Sequence, residues 1–220
     1  EKSKIFNDYQ YILPHLIDLY PQYKEFILNY RKEKDSFIIQ DNGLFENVNH
    51  TEQDLIEKIN LVKPNIFIVP DKWDDAQEGY KNAKYWMNVV KSQLPEITEL
   101  MVVIQGKTWN DFTTLYTLCK DLGYTHFAFN HSSIKYQEGN YHSNKLLNQT
   151  FGRINTITKL KLEKIIAEGD YIHLLGASLL DEFKYYNDPF FSFIKSIDTS
   201  LPIVNEFKGY KLNLNNSYIK

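Results

Sequence analysis

Polar side chains follow the short apolar runs of this sequence, at the points where strands would end. These residues are Asp41, Asp71, Gln105-Gly106, Asn130-His131, Gly176 and Asp198. Because the carboxyl ends of parallel strands face one crevice, such side chains are expected to meet at one rim. Three carboxylates there suit glycosidic chemistry, in which one attacks or stabilises the anomeric carbon while another moves a proton.

Each of the three aspartates also has a local interpretation. Asp41 opens an Asp-Asn-Gly sequence that is typical of turns. Asp71, with Asp74 and Asp75, would complement the dipole of a following helix, and Asp198 would lie in a loop or cap a helix. The aspartates alone therefore leave structural and chemical roles open.

The single cysteine and the histidines predict neither a disulfide framework nor a metal site. One cysteine, Cys119, excludes an intramolecular disulfide and any zinc site with two or more thiolates. It lies on the apolar stripe of a predicted helix, where a buried structural thiol is favoured over a nucleophile. His131 and His142 lack metal-ligand spacing, so no metal and no cofactor is expected.

The composition predicts one folded, soluble domain over residues 1–220. The chain has 220 residues, of which 43% are hydrophobic and 24% charged, and it contains no apolar run of the ~18 residues that cross a membrane. It opens without the basic start and apolar run of a secretory signal, and the single cysteine makes the cytoplasm the expected compartment. A net charge of −3 gives no global attraction to nucleic acid, so a polyanion would need a local basic patch.

Several familiar site motifs are missing from the chain. There is no G-x-x-x-x-G-K-[ST], no G-x-G-x-x-G after a strand and no G-x-S-x-G. Their absence disfavours nucleotide hydrolysis at a P-loop, dinucleotide redox chemistry and serine-hydrolase chemistry. Carboxylate chemistry at the strand ends remains.

Apolar runs alternate with segments of helical spacing along most of the chain. The runs occupy residues 37–39, 66–69, 101–104, 127–129 and 172–175, with a weaker one at 193–197. Thr51 with Asp54, and Thr108 with Asp111, resemble helix capping boxes. Further helices are predicted over residues 75–93 and over residues 8–32, the latter broken near Pro21.

This alternation predicts an α/β fold with buried parallel strands. A doubly wound sheet and a (β/α) barrel both fit the pattern. Six visible units fall short of the eight strands of a full barrel, which would need further strands near residues 1–8 and 208–214. Periodicity leaves the choice between the two architectures open.

Taken in order, the strand-end motifs resemble the tRNA-guanine transglycosylase family. Residues 41–46, Asp-Asn-Gly-Leu-Phe-Glu, resemble the family's D-S-G-G-F-Q, and Asp71 falls where a second-strand aspartate is expected. Val103-Ile104-Gln105-Gly106 resembles the family's V-Q-G-G, and residues 122–129 resemble its L-G-F-x-G-F-A-I. Leu174-Leu175-Gly176 resembles its L-M-G-V-G, and residues 197–202 resemble its F-D-C-V-L-P. Each segment is short, but six of them occur in the family's order.

The resemblance implies a (β/α)8 TIM-type barrel and a base-exchange reaction. In that reaction a guanine of a polynucleotide is cut at its glycosidic bond and replaced by a free 7-deazaguanine base. By resemblance, Asp198 is the nucleophile at C1′ and Asp41 the general acid/base. The residues expected to bind the base are Asp71, Gln105, Gly106, Phe45 and Gly176.

The chain departs from the family in ways that suggest a different polymer. The family carries a zinc subdomain after the nucleophile, whereas here Cys119 lies upstream of Asp198 and the chain continues for only 22 residues. A short, zinc-free barrel resembles the DNA-acting branch of the superfamily, found in phages and bacteria. DNA is therefore the expected partner, with tRNA the other candidate. The expected phosphate contacts are Arg153, Lys159, Lys161 and Lys164, although a solvated helix face explains the same residues.

Two other functions fit the same residues. A hydrolytic nucleosidase or glycosidase would use Asp198 and Asp41 with water as the acceptor. A binding protein without catalysis would keep the barrel to hold a base or a nucleic acid, although it would not need all three aspartates.

Overall fold

A computed structural model describes residues 9–177, 179–212 and 218–219. Seven strands form one sheet, in which they follow one another in chain order. They are β1 Gln10–Ile12, β2 Ile38–Gln40, β3 Ile66–Ile68, β4 Glu99–Val103, β5 His126–Asn130, β6 Tyr171–Leu175 and β7 Ile194–Ile197. A separate two-stranded sheet pairs β8 Lys211–Leu212 antiparallel with β9 Tyr218–Ile219.

Helices connect consecutive strands of the larger sheet. The α-helices are α1 Pro14–Leu19, α2 Pro21–Tyr30, α3 Glu52–Val62, α4 Ala76–Tyr85, α5 Trp109–Asp121, α6 Ile134–Gln137, α7 Lys145–Leu162, α8 Glu182–Tyr185 and α9 Leu201–Phe207. A π-helical turn at Trp86–Val90 and a 3₁₀ turn at Lys91–Gln93 extend α4, so the helix predicted over residues 75–93 is confirmed. Pro21 begins α2, which confirms the predicted break. The helix predicted over residues 8–32 is wrong at its start, because Gln10–Ile12 form strand β1 and pair parallel with β2.

The chain divides into two compact units. Unit 1 comprises Glu1–Lys72 and Glu78–Val102, and unit 2 comprises Trp73–Gln77 and Val103–Lys220. In unit 1, β1 pairs parallel with β2, β2 with β3, and β3 with β4. In unit 2, β5 pairs parallel with β6 and β6 with β7.

Local sequence explains how the helices of each unit begin and which face they bury. Thr108 and Asp111 form the reciprocal capping box that the spacing predicts on α5. The Thr51 side chain caps α3, but the Asp54 carboxylate contacts His50 and Lys58 instead of completing the predicted box. The buried face of α5 consists of Phe112, Leu115, Tyr116 and Cys119. In unit 1 a separate core cluster consists of Ile12, Ile17, Ile27, Tyr30, Ile38 and Val62.

The α/β prediction with parallel strands is confirmed, and the larger sheet contains seven strands among the described residues. The strand hypothesised near residues 208–214 corresponds to β8, which pairs antiparallel with β9 and lies outside the larger sheet. The other hypothesised strand, at residues 1–8, lies outside the described residues. Among the residues that the structure describes, the eight strands of a full barrel are therefore not present.

No helix in the described part of the chain combines the length and the apolar character needed to cross a membrane.

Cys119 provides a first test of packing. The residue is fully buried, and burial raises the pKa of its thiol to about 12. Because the thiolate is the reactive form, only about 10⁻⁴ of this thiol is ionised at pH 8. We expect an aromatic disulfide reagent to leave the native protein unlabelled and to label it stoichiometrically in concentrated guanidinium chloride. Rapid labelling of the native protein would show that α5 does not bury the thiol.

Candidate functional site

In unit 2, Asp198 lies directly after β7, and two nitrogen atoms lie close to its carboxylate. The backbone N–H of Gly176, directly after β6, donates to Oδ1 of Asp198 at 2.9 Å. Nε2 of His173 lies 3.2 Å from the same oxygen, and the Asp198 side chain remains 22% exposed. Among the described residues, no hydrogen bond reaches Oδ2. The arrangement anchors one oxygen of a partly exposed carboxylate.

His173 belongs to a chain of polar side chains in the core of unit 2. Its Nδ1 lies 2.7 Å from Oγ of Ser196, which also accepts a hydrogen bond from the Tyr171 hydroxyl at 2.9 Å. His173 is fully buried and Ser196 is 9% exposed. Tyr171 and His173 project from the same face of β6, since they are two residues apart, and His173 is the register partner of Ser196 on β7.

Gly176 requires a glycine for two reasons. Its φ of +64° is in the left-handed region, which costs other residues roughly 1–2 kcal/mol. A Cβ atom at this position would lie 3.1 Å from Nδ1 of His131. Burial and the charge of Arg153 lower the pKa of His131, while Glu182 and Asp198 act in the opposite direction. A neutral imidazole therefore packs against the turn whose N–H binds Asp198.

Gly176→Ala tests this packing, with Gly169→Ala as the matched control. Gly169 also has a positive φ, of +89°, but a Cβ atom there would meet no other atom within 4 Å. We expect Gly169→Ala to lower the free energy of unfolding by about 1–2 kcal/mol. Gly176→Ala should cost about 2–4 kcal/mol, because His131 must also move. Urea denaturation measures both values, and equal losses would contradict the His131 contact.

Arg153 lies in the interior of unit 2 rather than on its surface. The residue is fully buried, and its guanidinium forms an ion pair with Glu182, whose side chain is 1% exposed. Nη1 of Arg153 also donates to the carbonyl oxygens of Phe129 at 3.4 Å and Leu175 at 3.1 Å. Burial alone would lower the pKa of Arg153, but Glu182 raises it above its usual value. This burial contradicts the predicted phosphate contact of Arg153.

The three predicted phosphate-binding lysines remain at the surface of unit 2. Nζ of Lys159 lies 4.0 Å from the ring centroid of Trp109, and Nζ of Lys161 lies 5.1 Å from that of Phe193. Lys164 is exposed, just after the end of α7. These ammonium groups can meet an anion, but the solvated helix face explains them equally well.

The Gln105 side chain is buried in unit 2 and hydrogen-bonded to other residues of that unit. It is 1% exposed, and its Oε1 accepts hydrogen bonds from the backbone N–H of Asp74 and from Nδ2 of Asn130, each at 3.1 Å. Oδ1 of Asp74 in turn accepts from the Ser133 hydroxyl at 2.8 Å. Asp74 therefore accepts a hydrogen bond at the start of α6, whereas the sequence predicts that it complements the dipole of α4. A base contact through Oε1 of Gln105 would require the loss of these internal bonds.

Position 106 has no room for a side chain, because Asp111 of the α5 cap lies against it. A Cβ atom there would lie 2.3 Å from Cβ of Asp111. Oδ2 of Asp111 accepts hydrogen bonds from the backbone N–H groups of Lys107 and Thr108, each at 2.9 Å. The close approach at Gly106 therefore involves this helix terminus, whereas the sequence predicts an approach to a base.

In unit 1, Asn42 connects the ends of β2 and β3. Its Nδ2 donates to the carbonyl oxygen of Val69 and to Oδ1 of Asp71, each at 3.1 Å. Its own backbone N–H donates to Oδ1 of Asp41 at 2.7 Å. The predicted pair Asp41 and Asp71 is thus brought together through one buried amide.

Two histidines lie close to this part of unit 1. The rings of His15 and His50 stack with centroids 6.4 Å apart, and Nδ1 of His50 contacts Oδ2 of Asp54. Burial, followed by the neighbouring His50, lowers the pKa of His15, while Asp41 acts in the opposite direction. Phe45, the predicted stacking residue, is 65% exposed and so accessible to a planar ligand.

Within the described residues, no group of three or more His, Cys, Asp or Glu side chains could hold a metal ion.

The polar side chains that sequence reasoning missed are His173, Ser196 and Tyr171. Tyr171 and His173 are two residues apart in a predicted strand and Ser196 lies two residues before Asp198, but the contact between Ser196 and His173 depends on the register of β6 and β7. No protein-family model matches the chain, and no curated protein is significantly similar to it.

Proposed function

We propose that the protein exchanges guanine in a polynucleotide for a free 7-deazaguanine base, through a covalent bond between Asp198 and C1′. One observation carries the proposal: a partly exposed carboxylate directly after a parallel strand, with one oxygen anchored by a backbone N–H. Such a carboxylate suits attack on an oxocarbenium-like carbon. The six ordered motif resemblances supply the reaction and the substrate class.

The first half of the reaction forms the covalent intermediate. Oδ2 of Asp198 bonds to C1′ as the C1′–N9 bond of guanine breaks, and the bonding pair leaves with the base. By the motif resemblance alone, the Asp41 carboxyl group is assigned the proton that neutralises the departing base. The Gly176 N–H, which donates to Oδ1, holds the carboxylate in place during this attack.

The second half reverses these steps with a different base. N9 of the 7-deazaguanine attacks C1′, its proton returns to Asp41, and the ester bond to Asp198 breaks. Asp71 and Phe45 are assigned to the bound base, the first through hydrogen bonds and the second through stacking. No water and no nucleotide is consumed, so the reaction needs no external energy source.

DNA is the proposed polymer, with tRNA as the other arm of the test. C1′ of a paired nucleotide cannot be reached inside the stack, so a single-stranded or flipped guanine is expected to react. Lys159, Lys161 and Lys164 are the proposed phosphate contacts. Arg153 is not among them, because Glu182 pairs with it in the core.

A denaturing gel with labelled polynucleotide tests the proposal. The protein is incubated with single-stranded DNA that contains guanine, and separately with tRNA, in the presence and absence of 7-deazaguanine. We expect a slow-migrating covalent complex without the base, and loss of that complex when the base is added. The modified polynucleotide should then contain 7-deazaguanine in place of guanine.

The other two functions give different results in the same assay. Release of free guanine without an acceptor base, leaving abasic sites, would favour a hydrolase. Retention of polynucleotide without any guanine release would favour a binding protein. Either result would overturn base exchange.

A further inference from the structure

We infer that His173, Ser196 and Tyr171 are positioning residues that direct the Asp198 carboxylate toward its substrate. The inference rests on the proposed function of Asp198 as a nucleophile. It goes beyond that function because it assigns a role to three side chains of β6 and β7 that have no counterpart among the motif resemblances. The role is to fix the tautomer of His173, and thereby the orientation of one carboxylate oxygen.

The hydroxyl protons of Tyr171 and Ser196 define the donor-to-acceptor direction of this series of hydrogen bonds. The Tyr171 hydroxyl donates to Oγ of Ser196 at 2.9 Å, and burial raises the pKa of Tyr171, so this proton stays on the phenol. The Ser196 hydroxyl can then donate its single proton to Nδ1 of His173, 2.7 Å away. A neutral imidazole that accepts at Nδ1 carries its proton on Nε2. Nε2 is the atom that lies 3.2 Å from Oδ1 of Asp198.

This series of hydrogen-bonded side chains therefore ends in the Nε2–H group of His173. That group lies next to the Asp198 carboxylate, which can only accept hydrogen bonds. Oδ1 of Asp198 then lies between this group and the N–H of Gly176. The hydrogen bond from the Gly176 N–H and the Nε2–H group 3.2 Å away both act on Oδ1, so rotation of the carboxylate is restricted. Such orientation contributes to rate because a bond can form only from a narrow range of approach.

The gradient of burial shows which end of the chain meets the substrate. His173 is fully buried and Ser196 is 9% exposed, whereas the Asp198 side chain is 22% exposed. The same three residue types form the triad of serine hydrolases, where the serine reacts. Here Ser196 lies within β7, accepts a hydrogen bond from the Tyr171 hydroxyl, and is less accessible than Asp198. The reactive end is therefore the aspartate.

Two variants of His173 isolate the Nε2–H group. His173→Leu removes it with little loss of volume, whereas His173→Gln places an amide N–H near the same position. In the gel assay with single-stranded DNA, we expect His173→Leu to slow formation of the covalent complex by about 10- to 100-fold. His173→Gln should recover most of that loss. Ser196→Ala should have a smaller effect, because Nε2 remains in place.

Nitrogen NMR of ¹⁵N-histidine-labelled protein gives a readout that needs no activity. We expect the His173 signals of the Nε2–H tautomer, with Nδ1 unprotonated, and a shift toward tautomer exchange in Ser196→Ala. Detection of the Nδ1–H tautomer would overturn the inference even if His173→Leu failed to fold. A complex that forms at the unaltered rate in His173→Leu would also overturn it.

Failure of the inference and failure of the proposed function are distinguishable. If the unaltered protein forms no covalent complex with DNA or tRNA, base exchange fails first and the inferred positioning of a nucleophile falls with it. If the complex forms but does not depend on His173, only the inference fails. Labelling of Ser196 by a fluorophosphonate, abolished in Ser196→Ala, would identify a serine nucleophile and overturn both.

Discussion

Asp198→Asn is expected to lower the rate of guanine exchange by at least about 10³-fold and to abolish the covalent complex. An amide oxygen is a far weaker nucleophile than a carboxylate oxygen, and it cannot neutralise the positive charge that develops at C1′. Removal of one member of a catalytic constellation typically eliminates most of the activity. Exchange is measured as incorporation of labelled guanine into single-stranded DNA.

The same substitution should leave the fold intact. Asparagine retains an Oδ1 atom that can accept from the Gly176 N–H, so the free energy of unfolding should change by less than about 1 kcal/mol. Asp181→Asn is the matched control, since this aspartate is also in unit 2, is 51% exposed and pairs only with Lys184 among the described residues. Exchange should be unchanged in the control. Equal activity in Asp198→Asn and Asp181→Asn would exclude Asp198 as the nucleophile.

Glu182→Gln is expected to cause the largest loss of stability, about 3–5 kcal/mol in the free energy of unfolding. Both partners of the Arg153–Glu182 pair are 1% exposed, so the substitution leaves a positive charge in the core with no ionised partner. Oε1 of Glu182 also accepts from the Tyr186 hydroxyl at 2.7 Å. Equilibrium denaturation in urea measures the loss.

Glu163→Gln is the control for that substitution. Oε1 of Glu163 lies 3.7 Å from Nζ of Lys159, and both side chains are more than 40% exposed, at 44% and 48%. An ion pair in water contributes little, so the control should lose no more than about 0.5 kcal/mol. If the two substitutions had similar effects, Arg153 and Glu182 would not form a buried pair in solution.

Local sequence signals predict the elements of this fold well. The Thr108–Asp111 capping box begins α5 at the expected residue, because both partners lie within four residues of each other. The apolar runs predict β2 to β7, since both faces of a central parallel strand are covered. Asp198 could be placed directly after a strand for the same reason. The apolar runs miss β1, a three-residue strand inside a segment predicted to be helical.

Contacts between distant residues account for what the sequence does not predict. Arg153 reads as part of a basic helix face, but its partner Glu182 lies 29 positions away and can be recognised only after folding. Gln105 and Gly106 read as parts of a base-binding motif, whereas Asn130, 25 positions from Gln105, and the Asp111 cap explain them. The contact between Ser196 and His173 depends on the register of β6 and β7 and has no local signature.

The identity of the residue that carries the sugar tests the central claim most directly. The covalent complex with single-stranded DNA is trapped by denaturation, digested with nuclease and protease, and sequenced by tandem mass spectrometry. We predict a deoxyribose-linked modification on the peptide that contains Asp198, localised to that side chain. A modification on any other residue, or guanine exchange without a modified peptide, would contradict the assignment of Asp198 as the nucleophile.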